Sequence, residues 1–149
     1  MATAAETRAP THLWIVGILS LLWNCYGGFD YIMTRTRNMD YLSQMGDPNA
    51  MLDWIDGFPI WAQFGWGLGV WAALIGSILL LMRNRYAVWA FALSLVGMAL
   101  SFGYIFLIGS PMPGSEEAGM MKYFPLIIVV LGIAQFFYTR AMEKKGVLR

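Results

Sequence analysis

The chain has 149 residues, 58% of them hydrophobic and 13% charged, and a formal net charge of +1. That charged share is about half of what a soluble domain carries, and the absence of a basic stripe with interleaved aromatics excludes nucleic acid as a partner. The single cysteine, Cys25, excludes an intrachain disulfide framework and a cysteine-based zinc cluster.

A hydrocarbon core of about 30 Å takes roughly 20 helical residues to cross, at about 1.5 Å of rise each. Four apolar stretches of that length fill the sequence between Leu13 and Tyr138. The expected fold is therefore all-α, a single membrane domain over residues 1–149 built as a four-helix bundle. The first span is expected at 13–33, with Thr11 as its N-cap and Asn24 and the Gly27-Gly28 pair inside it. Arg8 ahead of an apolar run imitates a secretory signal. The run is too long for one and no small-x-small cleavage site follows, so it reads as an uncleaved helix.

The external loop, 34–58, contains Asp47-Pro48, a capping residue followed by a first-turn proline, then Met51, Leu52, Trp54 and Ile55. This predicts a short helix lying on the membrane surface; an irregular loop with anchoring aromatics is the alternative. The second span is expected at 59–82, with Pro59 as its first helical residue. Arg83-Asn84-Arg85 is so short a turn that the second and third spans must be antiparallel neighbours. The third span, 86–108, ends at the breaker-rich Gly109-Ser110-Pro111-Met112-Pro113-Gly114. The fourth is expected at 123–140, with its start reaching back toward Ser115 and a bend at Pro125.

Lysine and arginine accumulate on the cytoplasmic side of membrane proteins. Arg8, Arg83, Arg85, Arg140, Lys144, Lys145 and Arg149 share one side, seven in all, against Arg35, Arg37 and Lys122, three, on the other. Both termini are thus expected in the cytoplasm. Acidic residues concentrate on the opposite, external side.

Lipid is as apolar as leucine, so helices associate through close approach and interhelical hydrogen bonds. Gly65, Gly69, Ala73 and Gly76 mark one face of the second span, and Ala90, Ser94, Gly97 and Ser101 one face of the third. These rows are expected to meet within one subunit; homodimerisation through them is the alternative.

Polar residues in the spans are the natural site candidates, because burying them without partners is costly. Counted from the cytoplasmic boundary, Asn24 stands about 16 Å up and Ser94 and Gln135 about 12 Å, which predicts one mid-membrane polar layer. Asp30 and Tyr104 stand about 26–27 Å up, and Gln63 about 6 Å below the outer boundary. Asp30 is read either as an interfacial ion-pair partner of Arg35 or Arg37, or as the floor of an external pocket with Gln63 and Tyr104. Trp61 and Trp66 would border that pocket, whose chemistry suits a small polar, sugar-like solute.

Met33, Met39, Met45 and Met51 recur every six residues on the external side, joined there by Met112, Met120 and Met121. Thioethers can bind Cu(I), but a six-residue step keeps no helical face and no external histidine or cysteine supports a site. Gap filling and surface anchoring suffice. No metal or cofactor is implied. Catalytic triads and histidine metal sites lack members because His12 is the single histidine, and there is no phosphate loop. Asp53 and Asp56 read as the polar face of the surface helix, so no enzyme is expected.

The string Trp23-Asn24-Cys25-Tyr26-Gly27-Gly28-Phe29-Asp30-Tyr31, followed by Thr34, Thr36-Arg37-Asn38 and Tyr41-Leu42, resembles a group of uncharacterised four-helix inner-membrane proteins of Gram-negative bacteria. Some of them carry a sugar-transporter label. The resemblance covers most of the chain and implies a solute-handling membrane protein, but brings no assigned binding residues with it. Two functions follow: binding or transport of a small solute at the periplasmic face, by an oligomer if it transports, or a noncatalytic accessory subunit docked onto a larger membrane complex.

Overall fold

The computed structural model describes residues 8–115, 119 and 123–149. Among them run six helices: α1 (Thr11–Arg35), α2 (Met39–Ser43), α3 (Pro48–Asp56), α4 (Ile60–Leu81), α5 (Ala87–Leu107) and α6 (Phe124–Lys144). Helices α1, α4, α5 and α6 are each long and apolar enough to cross a bilayer.

The helices are built inside out relative to those of a soluble protein. α1 buries Leu13, Gly17, Ser20, Asn24 and Gly28 at three- and four-residue steps, yet Leu19 and Leu22 on its other side are 61% and 63% exposed. Small and polar side chains face the neighbouring helices, and large apolar ones face outward. Water would expel so continuous an apolar surface; hydrocarbon solvates it at no cost, which leaves close packing as the force that selects the inner face.

The α4–α5 pair shows that selection most clearly. A Cβ added to Gly65 would lie 2.8 Å from the Gly97 carbonyl oxygen, and one added to Gly97 would lie 2.5 Å from the Gly65 carbonyl oxygen. The two small-residue rows therefore face each other within the chain, backbone against backbone. α1 lies antiparallel on α4: Gly17 meets Leu81, Asn24 meets Ser77, and Tyr31 meets Trp66 at 4.8 Å between ring centroids. α6 lies on α5 through Gly132, beside Met98. α1 and α6 touch at His12–Tyr138 and Trp23–Phe124 without packing along their length. The four helices thus form an arc, open between its first and last members.

Each end has its own core. Leu13, Leu80, Ala87, Phe91 and Met142 pack with Val147 and Leu148 at the end that carries the termini. Gly146, at φ +70°, turns the chain back so that Arg149 N–H donates to the Arg83 carbonyl (2.7 Å) and Arg85 N–H to the Arg149 carbonyl (2.9 Å). At the opposite end Leu42, Met51 and Ile55 form a second cluster, against which Met45, Leu52, Trp54, Trp66 and Met112 pack. Three of the methionines expected on the external side, Met45, Met51 and Met112, thus fill space in this cluster; Met120 and Met121 lie outside the described residues.

Several boundaries differ from expectation. Pro10 and Pro59 occupy the cap positions of α1 and α4, so Thr11 and Ile60 are the first helical residues. The external loop holds two short helices rather than one, because Asn38 caps a turn of its own: its side-chain oxygen accepts from the Tyr41 backbone N–H at 2.9 Å. Asp47 caps α3 in the same manner. Ser115 lies in a turn, and Pro125 falls in the first turn of α6, where a missing N–H breaks no helical bond and forces no bend.

Candidate functional site

The open side of the arc leads into a cavity of about 1060 Å³. Its walls come from all four long helices and its roof from α2, α3 and the segment around Met112. Trp23, Phe102, Phe106 and Ile128 make the walls apolar; Asn24 and Gln135 face it at depth, and Asp30 and Tyr41 near the roof. From Trp23 to Thr34 it follows α1 for eleven residue steps, about 17 Å at helical rise.

Asp30 does not pair with an arginine. Its carboxylate accepts a hydrogen bond from the Tyr41 hydroxyl at 2.7 Å, and the Tyr41 ring stacks edge-on against Phe29 at 5.6 Å. Burial, and then the neighbouring Asp30, hold the Tyr41 phenol above its ordinary range, so it remains a donor. The arginines point elsewhere for a geometric reason. Arg35 lies five residues on, about 140° around the helix from Asp30, and Arg37 stands past the helix end in a left-handed conformation, φ 54°.

Arg35 and Arg37 instead line a separate polar pocket of about 240 Å³ with Thr34, Leu52, Ile55, Asp56 and Gln63. Arg35 Nη1 donates to Gln63 Oε1 (2.9 Å), and Gln63 Nε2 donates to the Phe58 carbonyl (2.9 Å). Arg37 Nη2 donates to both Asp56 carboxylate oxygens at 2.9 and 3.0 Å, an exposed pair. Thr34 and Ile55 line both this pocket and the large cavity, which therefore adjoin at these two residues.

The expected external pocket is thereby divided. Asp30 and Trp66 line the large cavity, and Gln63, Arg35 and Arg37 the small one. Trp61 and Tyr104 line neither: they stack on each other at 5.7 Å and Tyr104 on Phe58 at 5.0 Å, and the Tyr104 hydroxyl donates to the Gly57 carbonyl at 3.2 Å. Together they brace the connection from α3 to α4.

The mid-membrane layer is divided too. Asn24 Nδ2 donates to Ser77 Oγ (2.7 Å) and to the Ala73 carbonyl (3.2 Å), while Ser94 donates to the Gly69 carbonyl (2.8 Å). All three bonds end on α4, whose small residues leave its carbonyls and the Ser77 hydroxyl reachable. Gln135 stands across the cavity and joins neither. Among the described residues no buried side-chain nitrogen or oxygen lacks a partner.

Sequence reasoning gave Tyr41 no part in a site, and placed Asp56 and Trp54 on the surface helix without their partners; the Trp54 indole N–H donates to the Ser110 carbonyl at 2.8 Å and ties α3 to the connection between α5 and α6. The one signal for Tyr41 was Asn38, a capping residue three positions earlier. No family model, curated protein or solved structure matches the chain. Fold and composition define its class: a multi-pass membrane protein of four apolar helices, arranged around a cleft roofed by short helices.

Proposed function

We propose that this protein binds a small amphiphile in the cleft between α1 and α6, without catalysis, at the periplasmic face of a bacterial inner membrane. The observation that carries the reading is the cavity of about 1060 Å³, apolar along its walls with the Asp30–Tyr41 pair near its roof. A free sugar has polar groups on every side and needs a partner for each. Trp23, Phe102, Phe106 and Ile128 offer few; an apolar chain suits them, with its polar end toward the roof. The orientation rests on the seven-to-three distribution of Lys and Arg. The resemblance to proteins with a sugar-transporter label supports a small-molecule role, and the wall chemistry narrows it to amphiphiles.

The test uses hexadecanol bearing a diazirine, photolysed with the full chain in phosphatidylcholine nanodiscs and mapped by peptide mass spectrometry. Adducts at Trp23, Gly27 and Gln135 are expected to saturate and to be competed by unlabelled hexadecanol. Those at the outward-facing Leu22 and Phe137 are not. Ile128→Trp, which fills the cleft, should abolish the saturable adducts, whereas the outward Val130→Trp should leave them. Equal, unsaturable labelling of both faces would refute the proposal. A stoichiometric polypeptide crosslinked at the cleft residues would replace it with the accessory-subunit function.

A further inference from the structure

We infer that the pocket formed by Arg35, Arg37 and Gln63 is an oxyanion site that takes a phosphate group, and that it holds the head of the ligand whose chain fills the cleft. The second half of this inference rests on the function proposed above; the first half stands on the pocket alone.

Three features carry the anion site. Arg35 has a neutral partner: Gln63, itself fixed by donating to the Phe58 carbonyl, accepts one guanidinium N–H at 2.9 Å and leaves the charge uncompensated. Among the described residues no carboxylate lies within ion-pairing distance of Arg35. A guanidinium has five N–H donors, so Arg35 retains donors for a ligand while its orientation is set by Gln63. Second, Arg37 lines the same pocket, held to Asp56 through Nη2. Two guanidinium groups against one carboxylate leave the pocket net positive at a place where the rest of the loop is acidic. Third, the space is adequate: about 240 Å³ accommodates a tetrahedral anion with some of its water. Paired arginines present the donor geometry that phosphate oxygens match.

The link to the cleft is the shared lining. Thr34 and Ile55 border both cavities, so the two adjoin along these side chains and a head beside Arg35 lies next to a chain beside Trp66. Asp30 lies in the large cavity with its carboxylate occupied by the Tyr41 hydroxyl, one helical turn from Thr34. An anion is thereby favoured beside the arginines and disfavoured beside Asp30.

Inorganic phosphate and dihexanoyl phosphatidate, titrated separately by calorimetry into the full chain in maltoside micelles at constant ionic strength, distinguish free phosphate from a lipid head group. Both should bind, phosphatidate more tightly because its chains reach the cleft. Arg35→Gln should weaken each about tenfold, the worth of a charged hydrogen bond, and Arg35→Lys should recover part of the loss. Asp56→Asn should tighten phosphate binding three- to tenfold by releasing Arg37, whereas a purely structural Arg37–Asp56 brace would give weaker binding. Arg85→Gln, at the opposite end of the helices, should change nothing. Unchanged phosphate affinity in Arg35→Gln and Arg37→Gln, or weakened affinity in Asp56→Asn, would overturn the site. Ile128→Trp should erase the advantage of phosphatidate and leave inorganic phosphate untouched. If the two probes bind alike in the parent protein while the arginine dependence holds, the anion site stands and the cleft is not its ligand's chain site.

Discussion

Gly97→Ala tests the contact that organises the membrane domain. The added methyl would stand tightest against Gly69 N, 2.5 Å from the Gly65 carbonyl oxygen and 2.8 Å from Gly69 Cα, where ordinary contact begins at 3.4 Å. All three obstacles are backbone, so no rotamer change relieves them, and α4 and α5 must part by at least about 0.9 Å, the shortfall between 2.5 and 3.4 Å. A gap of that size forfeits a quarter to a half of each dispersion contact across the seam, and overpacking of this kind costs about 1–3 kcal/mol. It also stretches the 2.8 Å bond from Ser94 to the Gly69 carbonyl, a class of interaction contributing about 0.6 kcal/mol on average. Gly103→Ala is the matched control, since a Cβ there meets nothing within 4 Å. It lies in the same helix, so subtracting it removes whatever the bare glycine-to-alanine exchange contributes. Reversible unfolding in mixed micelles should place Gly97→Ala about 2 kcal/mol below Gly103→Ala, roughly a thirtyfold change in the unfolding constant. Equal stabilities would show that the α4–α5 seam is not the close backbone approach described here.

Asn24→Leu should cost no more than about 1.7 kcal/mol and nearer 0.6, because Ser77 retains its own 3.0 Å bond to the Ala73 carbonyl and no orphan is left; a double-mutant cycle with Ser77→Ala measures the coupling. Tyr41→Phe keeps the ring against Phe29 but removes the donor to Asp30. The raised phenol pKa makes the sign definite: the unfolded chain releases its proton above about pH 10 while the folded one retains it, so stability present below that pH declines above it. Unfolding followed from pH 8 to pH 11 should show a shallower alkaline decline in Tyr41→Phe than in the parent, and identical slopes would contradict the assignment. With Cys25 replaced by serine, an impermeant maleimide should label Ser43→Cys and spare Asn84→Cys in intact spheroplasts, and the reverse pattern would invert the proposed orientation.

Four spans and the antiparallel α4–α5 hairpin were legible in the residues because both depend on short-range regularities. Apolar run length has to match bilayer thickness, and a three-residue turn leaves its flanking helices one relative arrangement. The small-residue rows were legible for a related reason, since 65, 69, 73 and 76 recur on one helical face whatever packs there. Asp47 announced α3 through local capping chemistry. What lay beyond this reach was every choice between distant partners. Asp30 was matched by height with Tyr104 and Gln63 and by charge with Arg35 or Arg37, and the structure gave it Tyr41, because a helix places its residues by angle as well as by rise. Gln63 and Trp66, three residues apart on one helix, line different cavities, which adjoin where Thr34 of α1 and Ile55 of α3 border both. The cleft itself has no signature in the chain: it exists because α1 packs on α4 and α6 on α5, leaving the first and last helices unpaired along their length. Hydropathy and spacing therefore determined which segments enter lipid and which faces can approach closely. The order of the helices in the arc, and with it the cavity and the division of its polar groups, was decided by tertiary packing, since contacts between residues far apart in sequence carry no local pattern.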